Sequence, residues 1–153
     1  MRHGVRIGID VGTVRIGVAQ SDPSGLLASP VKTVLRADDD FLDQLVECVT
    51  DSAAIEVVVG LPLSMSGSVS SSTEDALAVA RELQKFISAE VRLIDERLTT
   101  VAALGAVKAS GKSQKSSRSF IDQVAAVSIL NAALDGERLT GRPPGKPLGE
   151  FPG

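Results

Sequence analysis

The sequence predicts an α/β domain: a mixed five-stranded sheet, three strands in a meander and then two parallel strands, flanked by helices. Three observations predict it. Apolar residues alternate on both sides of an early glycine turn, two short continuously apolar runs follow, and each of those runs is preceded by a stretch of helical periodicity. The 153 residues suit one domain.

Val5, Ile7, Ile9 and Val11 alternate with Arg6, Gly8 and Asp10, so the first strand starts at once. Gly12-Thr13 reads as a tight turn in which Gly12 takes positive φ. Ile16 and Val18 with the small Gly17 and Ala19 form the return strand. Asp22-Pro23-Ser24-Gly25 has turn composition, and Val31 to Leu35 reads as the third strand. Asp38, Asp39 and Asp40 suit a helix N-terminus, followed by the stripe Phe41, Leu42, Leu45, Val46 and Val49. Cys48 belongs to that stripe as a small core residue. Ile55 to Val59 is a buried parallel strand by its continuous apolarity, and a Ser-rich loop leads from Gly60 to about Ser70. Ser71-x-x-Glu74 has capping-box spacing and opens a helix lined by Ala76, Val79, Ala80, Leu83, Phe86 and Ile87. Val91 to Ile94 is the fifth strand. Leu98 to Ala109 reads as helix, Gly111 to Ser117 as a basic loop, and Ser119 to about Asp135 as an Ala-rich helix. Four Pro and four Gly among residues 141–153 predict a disordered tail. The expected organisation is therefore one domain over 1–136 with a Pro/Gly-rich tail over 137–153.

Composition removes several function classes. A single Cys excludes an intrachain disulfide and a Cys-based zinc site, and points to a reducing, cytoplasmic compartment. A single His, His3, excludes a Ser-His-Asp triad and a His-rich metal centre. With no Trp, no Tyr and four Phe, an aromatic base-stacking platform cannot be built. No apolar run reaches transmembrane length, and Met1-Arg2-His3-Gly4 leads into a strand rather than a signal-peptide apolar region, so no membrane partner is expected.

The net charge of −3 conceals a segregation. Residues 1–36 carry five basic and two acidic side chains, residues 37–96 three basic and thirteen acidic, and residues 97–153 eight basic and four acidic. No acid separates Arg97 from Ile121, while Arg97, Lys108, Lys112, Lys115 and Arg118 all fall there. Such a strip is either a solvated loop or an anion-facing surface.

The acids define the chemistry. Asp10 ends the first strand, where a carboxylate is desolvated unless something compensates it; the alternative is an Asp that caps its own turn. Asp95-Glu96 follows the fifth strand, with a local ion pair to Arg97 as the plainer reading. Asp122 shares a helix face with Ala125, Ala126, Ile129 and Ala133, so it faces the core and not solvent, unless it merely sits in the first turn. Carboxylates brought that close repel one another unless protons or cations intervene. Mg²⁺ or Mn²⁺ takes oxygen ligands, and two such ions can activate a water and stabilise the leaving oxygen in phosphodiester hydrolysis. The basic strip would then hold a polyanionic substrate. Two motifs fail on inspection. Gly111-Lys112-Ser113 lacks the P-loop spacing and follows a helical stretch. Gly8-x-Asp10-x-Gly12-Thr13 resembles the first phosphate loop of the actin and sugar-kinase ATPases, which need a second such domain.

Gly8-Ile9-Asp10-Val11-Gly12-Thr13-Val14-Arg15-Ile16-Gly17-Val18-Ala19 closely resembles the opening motif of the YqgF/RuvX family. Val59-Gly60-Leu61-Pro62, Asp95-Glu96-Arg97-Leu98-Thr99-Thr100 and Asp122-Gln123-Val124-Ala125-Ala126-Val127-Ser128-Ile129-Leu130 are similar to its later motifs, in order, over about residues 4–135. The resemblance implies a ribonuclease H-like fold, related to the Holliday-junction resolvases, and a nuclease that matures the 5′ end of pre-16S ribosomal RNA. Carried over by motif, the catalytic and metal-binding acids are Asp10, Glu96 and Asp122, with Asp95 adjoining Glu96 as the alternative donor. Arg15, Arg97, Lys108, Lys112, Lys115 and Arg118 are the expected nucleic-acid contacts. Branched DNA is the alternative substrate, and cutting both strands of a junction favours a homodimer; trimming an RNA end requires none. A nucleic-acid-binding module without catalysis is the other class, which has little use for clustered inward carboxylates.

Overall fold

The computed structural model describes residues 1–98 and 114–150. Its sheet has the order β3-β2-β1-β4-β5-β6. Strands β1 (Arg6–Val11), β2 (Arg15–Ser21) and β3 (Ala28–Leu35) form the expected antiparallel meander. β4 (Glu56–Leu61) and β5 (Glu90–Asp95) continue it in parallel from β1. Helices α1 (Phe41–Asp51) and α2 (Ser71–Gln84) cover one face, and α3 (Gln114–Thr140) covers the other.

Alternation along the strands sorts the two faces. Ile7, Ile9 and Val11 of β1, with Val57, Val59 and Leu61 of β4, join Leu45, Val49, Ala76, Ala80 and Leu83 in the larger core, against which half-buried Cys48 packs. Gly8 faces α3, where a Cβ would come 2.8 Å from Leu130 Cβ and 2.9 Å from the Ala126 carbonyl oxygen. The alanine stripe thus lets α3 lie directly on the strands, burying Ala126, Ile129 and Ala133.

The structure corrects several local readings. The sheet has six strands, not five, because the segment expected to trail as a tail supplies β6 (Lys146–Pro147), antiparallel to β5. Arg92 holds it, donating from Nε to the Pro144 carbonyl (2.5 Å) and from Nη2 to the Gly145 carbonyl (3.1 Å). Gly145 takes a φ of 61°, and a Cβ there would run into the Leu93 carbonyl. Helix α3 runs on to Thr140, past the expected boundary at 136, and starts at Gln114 rather than Ser119. Lys115 and Arg118, expected in or beside a loop, therefore lie in its opening turns. The capping box sits one residue early: Ser70 caps α2 and Thr73 reciprocates. Asp40 makes no side-chain cap on α1; Gln44 instead donates back to Asp38 (3.1 Å) and Asp40 (2.9 Å). Gly12 is not at positive φ. It is needed for space, since a Cβ would come 2.5 Å from the Arg15 carbonyl that its own N–H bonds at 2.9 Å. The expected helix over 98–109 and the residues Lys108 and Lys112 lie outside the described residues, apart from a single 3-10 turn over Glu96–Leu98. Among the described residues no helix is long and apolar enough to cross a membrane.

Candidate active site

Asp10 is the last but one residue of β1, on the face that α3 covers, and Gly17 of β2 is its cross-strand partner. Gly17 is what admits the helix: a Cβ there would overlap the Asp122 carbonyl oxygen. The register of the first hairpin therefore brings Asp122 beside Asp10. Glu96 arrives from β5, two strands away, by folding back over Gly60 of β4. A Cβ at Gly60 would come 2.6 Å from a Glu96 carboxyl oxygen and 2.5 Å from Ile129 Cδ1. Two glycines thus clear the space into which two of the three acids fit.

The carboxyl groups of Asp10 and Glu96 stand close enough for each to shift the other's ionisation. Two like charges this close cannot both form without cost. Burial, the charge of Asp10, the hydrogen bond to Asp10 and the charge of Asp95, in that order, push Glu96 up to about 8. Burial also raises Asp10, as does the charge of Asp122, while the hydrogen bond from Glu96 works the other way. Asp122 is engaged by Arg15, whose Nε donates to Oδ2 at 2.8 Å. Arg15, expected to face a nucleic acid, therefore neutralises one of the acids.

Asp95 is the acid that leaves the cluster. Its carboxylate accepts from Arg97 Nε (2.9 and 3.0 Å), Nη2 (2.6 Å) and the Arg97 backbone N–H (2.9 Å). The hydrogen bonds from the Arg97 side chain hold it below the usual carboxylate range. The plainer reading of Asp95, a local ion pair, describes its geometry, and Glu96 is the member that meets Asp10.

One further residue braces the site. Arg36 donates from Nη1 to the Gly12 carbonyl (2.9 Å), and its two nitrogens grip Asp75 at 2.8 and 3.0 Å. The ring of Phe41 lies under its guanidinium, 5.1 Å to the centroid. The turn after Asp10 is thereby tied to α2. No local pattern marks Arg36, because its partners lie 24 and 39 residues away.

The donors here are all carboxyl oxygens, which suits a hard divalent cation and not a soft one. Among the described residues, no three side chains of the His, Cys, Asp and Glu types stand close enough together to hold a metal ion as placed. A pair is formed, and the third acid stands beside it on Arg15. The pair nevertheless fits a cation, since burial and the facing charge of Asp10 both disfavour the ionised Glu96 that a cation would stabilise.

Residues 4–136 match the sequence pattern of the RuvX family, described as Holliday junction resolvase. A candidate pre-16S rRNA nuclease of Leifsonia xyli subsp. xyli is 54% identical over 149 residues, covering 97% of this chain and 96% of that protein. A protein of the same description from Streptomyces coelicolor is 48% identical, covering 95% and 89%. Among solved structures, RuvC of T. thermophilus in complex with a Holliday junction substrate superposes with a TM-score of 0.62 at 14% identity, over 93% of this chain and 99% of that one. A second Thermus thermophilus RuvC structure gives 0.53 at 15% identity, over 94% and 99%. At such identities the likeness is one of fold, and the fold is the ribonuclease H-like one.

Proposed function

The chain belongs to the RuvX family, and from that membership we propose that it is a divalent-cation-dependent nuclease that processes the 5′ end of pre-16S ribosomal RNA. The observation that carries this reading is the meeting of two carboxyls, Asp10 and Glu96, at the strand ends, with Asp122 beside them. A purely binding protein gains nothing from buried carboxyls that repel one another. The relatives' descriptions supply the RNA.

Asp10, Glu96 and Asp122 would hold Mg²⁺ or Mn²⁺, which on binding supplies an activated water and a counter-charge for the leaving oxygen. The chain's own work is to keep these groups ready. Asp10 and Glu96 must both be ionised before both can act as ligands. Arg15 keeps Asp122 beside the pair by offsetting its charge. Arg97 keeps Asp95 ionised and turned away. The basic residues Lys108, Lys112, Lys115 and Arg118 hold the phosphate backbone, in register but without reading sequence.

The family's own description favours a second reading, resolution of a Holliday junction, for which the active species would be a homodimer. The deciding experiment incubates purified protein with a 5′-extended 16S rRNA fragment and with a synthetic four-way junction, each in Mg²⁺, Mn²⁺ and chelator. Cation-dependent cleavage of the RNA alone is expected. Cleavage of the junction alone would replace the substrate, and cleavage of neither would refute the nuclease.

A further inference from the structure

The most exposed large apolar side chain described is Met65, at 93%. Isolated exposed apolar residues are ordinary, but this one is mounted. It sits at the tip of a short hairpin between β4 and α2, closed by a bridge between Leu63 and Val69. Ser64 donates its N–H to the Ser68 carbonyl (3.1 Å), and Gly67 donates to the Ser64 carbonyl (2.8 Å) with a φ of 85°. The hydroxyls of Ser64, Ser66 and Ser68 form a chain with 2.9 Å steps. The stem is pinned where the Thr73 hydroxyl meets the Pro62 carbonyl.

The hairpin is also tied to the acid cluster. Arg97, whose Nε and Nη2 grip Asp95, extends Nη1 to the Met65 carbonyl at 3.3 Å. Asp95 immediately precedes Glu96, so one guanidinium links the hairpin tip to the strand end that carries the site. Charge points the same way. The segment 37–96 holds thirteen acids, yet residues 57–73 carry no charge of either sign. A polyanion meets no repulsion from this part of the rim.

We propose that the Ser64–Ser68 hairpin is a nucleic-acid contact in which Met65 wedges against a base step beside the scissile phosphate, while the serine hydroxyls face the backbone. Apolar side chains are the usual wedges between base steps, unstacking them locally. In a chain without Trp or Tyr, no aromatic stacking platform competes for that role. The wedge lets the enzyme open a fully paired step; without it, cleavage is confined to steps that are already loose, such as those beside a mismatch or a bulge. This rests on the nuclease reading above.

The test compares wild-type protein with Met65→Ala and Met65→Leu on a fully paired RNA stem and on the same stem mismatched at the cleavage position. A 2-aminopurine beside that position reports unstacking in chelator, where nothing is cut. Met65→Ala is expected to lower kcat/KM on the paired stem by about tenfold, to change the mismatched stem less than about twofold, and to abolish the fluorescence rise. Met65→Leu should restore both, and the salt dependence of binding should be unchanged. Equal effects on the two stems, or a fluorescence rise that survives in Met65→Ala, would overturn the wedge. If wild-type protein cuts neither stem, the nuclease reading falls, and the fluorescence in chelator still decides the hairpin.

Discussion

The face of the sheet beneath α3 carries ionisable clusters at both ends, and they are built on opposite rules. At the N-terminal end of β1, Arg6 bonds Glu137 at 2.8 Å, and Arg2 bridges Glu137 to Glu56, 3.0 Å from the latter. Arg6, Glu56 and Glu137 are 1%, 1% and 3% exposed, and two cations meet two anions. Four residues further along β1, the carboxyls of Asp10 and Glu96 face each other, and Arg15 is engaged by Asp122. The first cluster balances its charges from within, although Arg6 Nε and Glu56 Oε1 are buried without a hydrogen-bond partner among the described residues. The second is short of positive charge. A buried ionic group completed from within is structure; one left incomplete where solvent can reach it is a site for a ligand of the missing sign.

The largest effect should come from the incomplete end. Asp10→Asn is nearly isosteric, loses the charge that draws a cation, and should lower cleavage by at least about a thousandfold. It also relieves repulsion, so its Tm in metal-free buffer should rise by about 2–4 °C. Wild-type turnover by the folded variant would break the contrast at its root.

The complete end should answer with stability instead. Arg6→Met leaves Glu137 buried with one partner fewer and should cost about 3–5 kcal/mol in urea unfolding. Adding Glu137→Leu should recover most of that loss, while turnover per folded molecule stays unchanged in both variants. A loss that the second substitution deepens would mean that the cluster is not the self-contained unit described.

pH separates Glu96 from Glu137, although burial raises Glu56 at the other end as well. Because the fold raises Glu96 from 4.5 to about 8, the protonated form is favoured in the native state. Its contribution is fully present below about pH 4.5 and is lost as pH rises through about 8. Metal-free protein should therefore lose stability between about pH 5 and 9, on the order of 2–3 kcal/mol after allowance for partial exposure. Glu96→Gln should flatten that slope, and cation-dependent cleavage by wild type should climb over the same range. Glu137 behaves oppositely. Burial alone would raise it, but the hydrogen bonds from Arg2 and the charges of Arg2 and Arg6 prevail and lower it. Its stabilisation is present above about pH 4.5 and is lost in acid as pH falls through its lowered value.

The two smallest effects test how the acid end tolerates a polyanion. Replacing Lys112, Lys115 and Arg118 with Ala should weaken binding to every substrate and flatten log K against log salt by about one to three units. An unchanged slope would transfer phosphate binding to other basic residues. Arg15→Gln removes a partly exposed pair and should shift stability by less than about 1 kcal/mol. A loss as large as that of Arg6→Met would show that the acid end is as internally completed as the other.

Local pattern was enough for the meander, the two parallel strands and the inward face of the last helix, because strand alternation and helical period are properties of neighbouring residues. It also named both readings of Asp95-Glu96, whose separation needed distances. Three-dimensional packing decided the rest. Pro-rich composition reads as disorder until Arg92 presents donors to the Pro144 and Gly145 carbonyls, and β6 then completes a sixth strand. Gly17 and Gly60 look like ordinary small residues until a helix and a glutamate from distant segments need their space. Arg15 looks like a free surface cation until Asp122, 107 residues later, lies against it. Each of these is a contact between segments far apart in sequence, and composition and periodicity carry no record of which segments will meet.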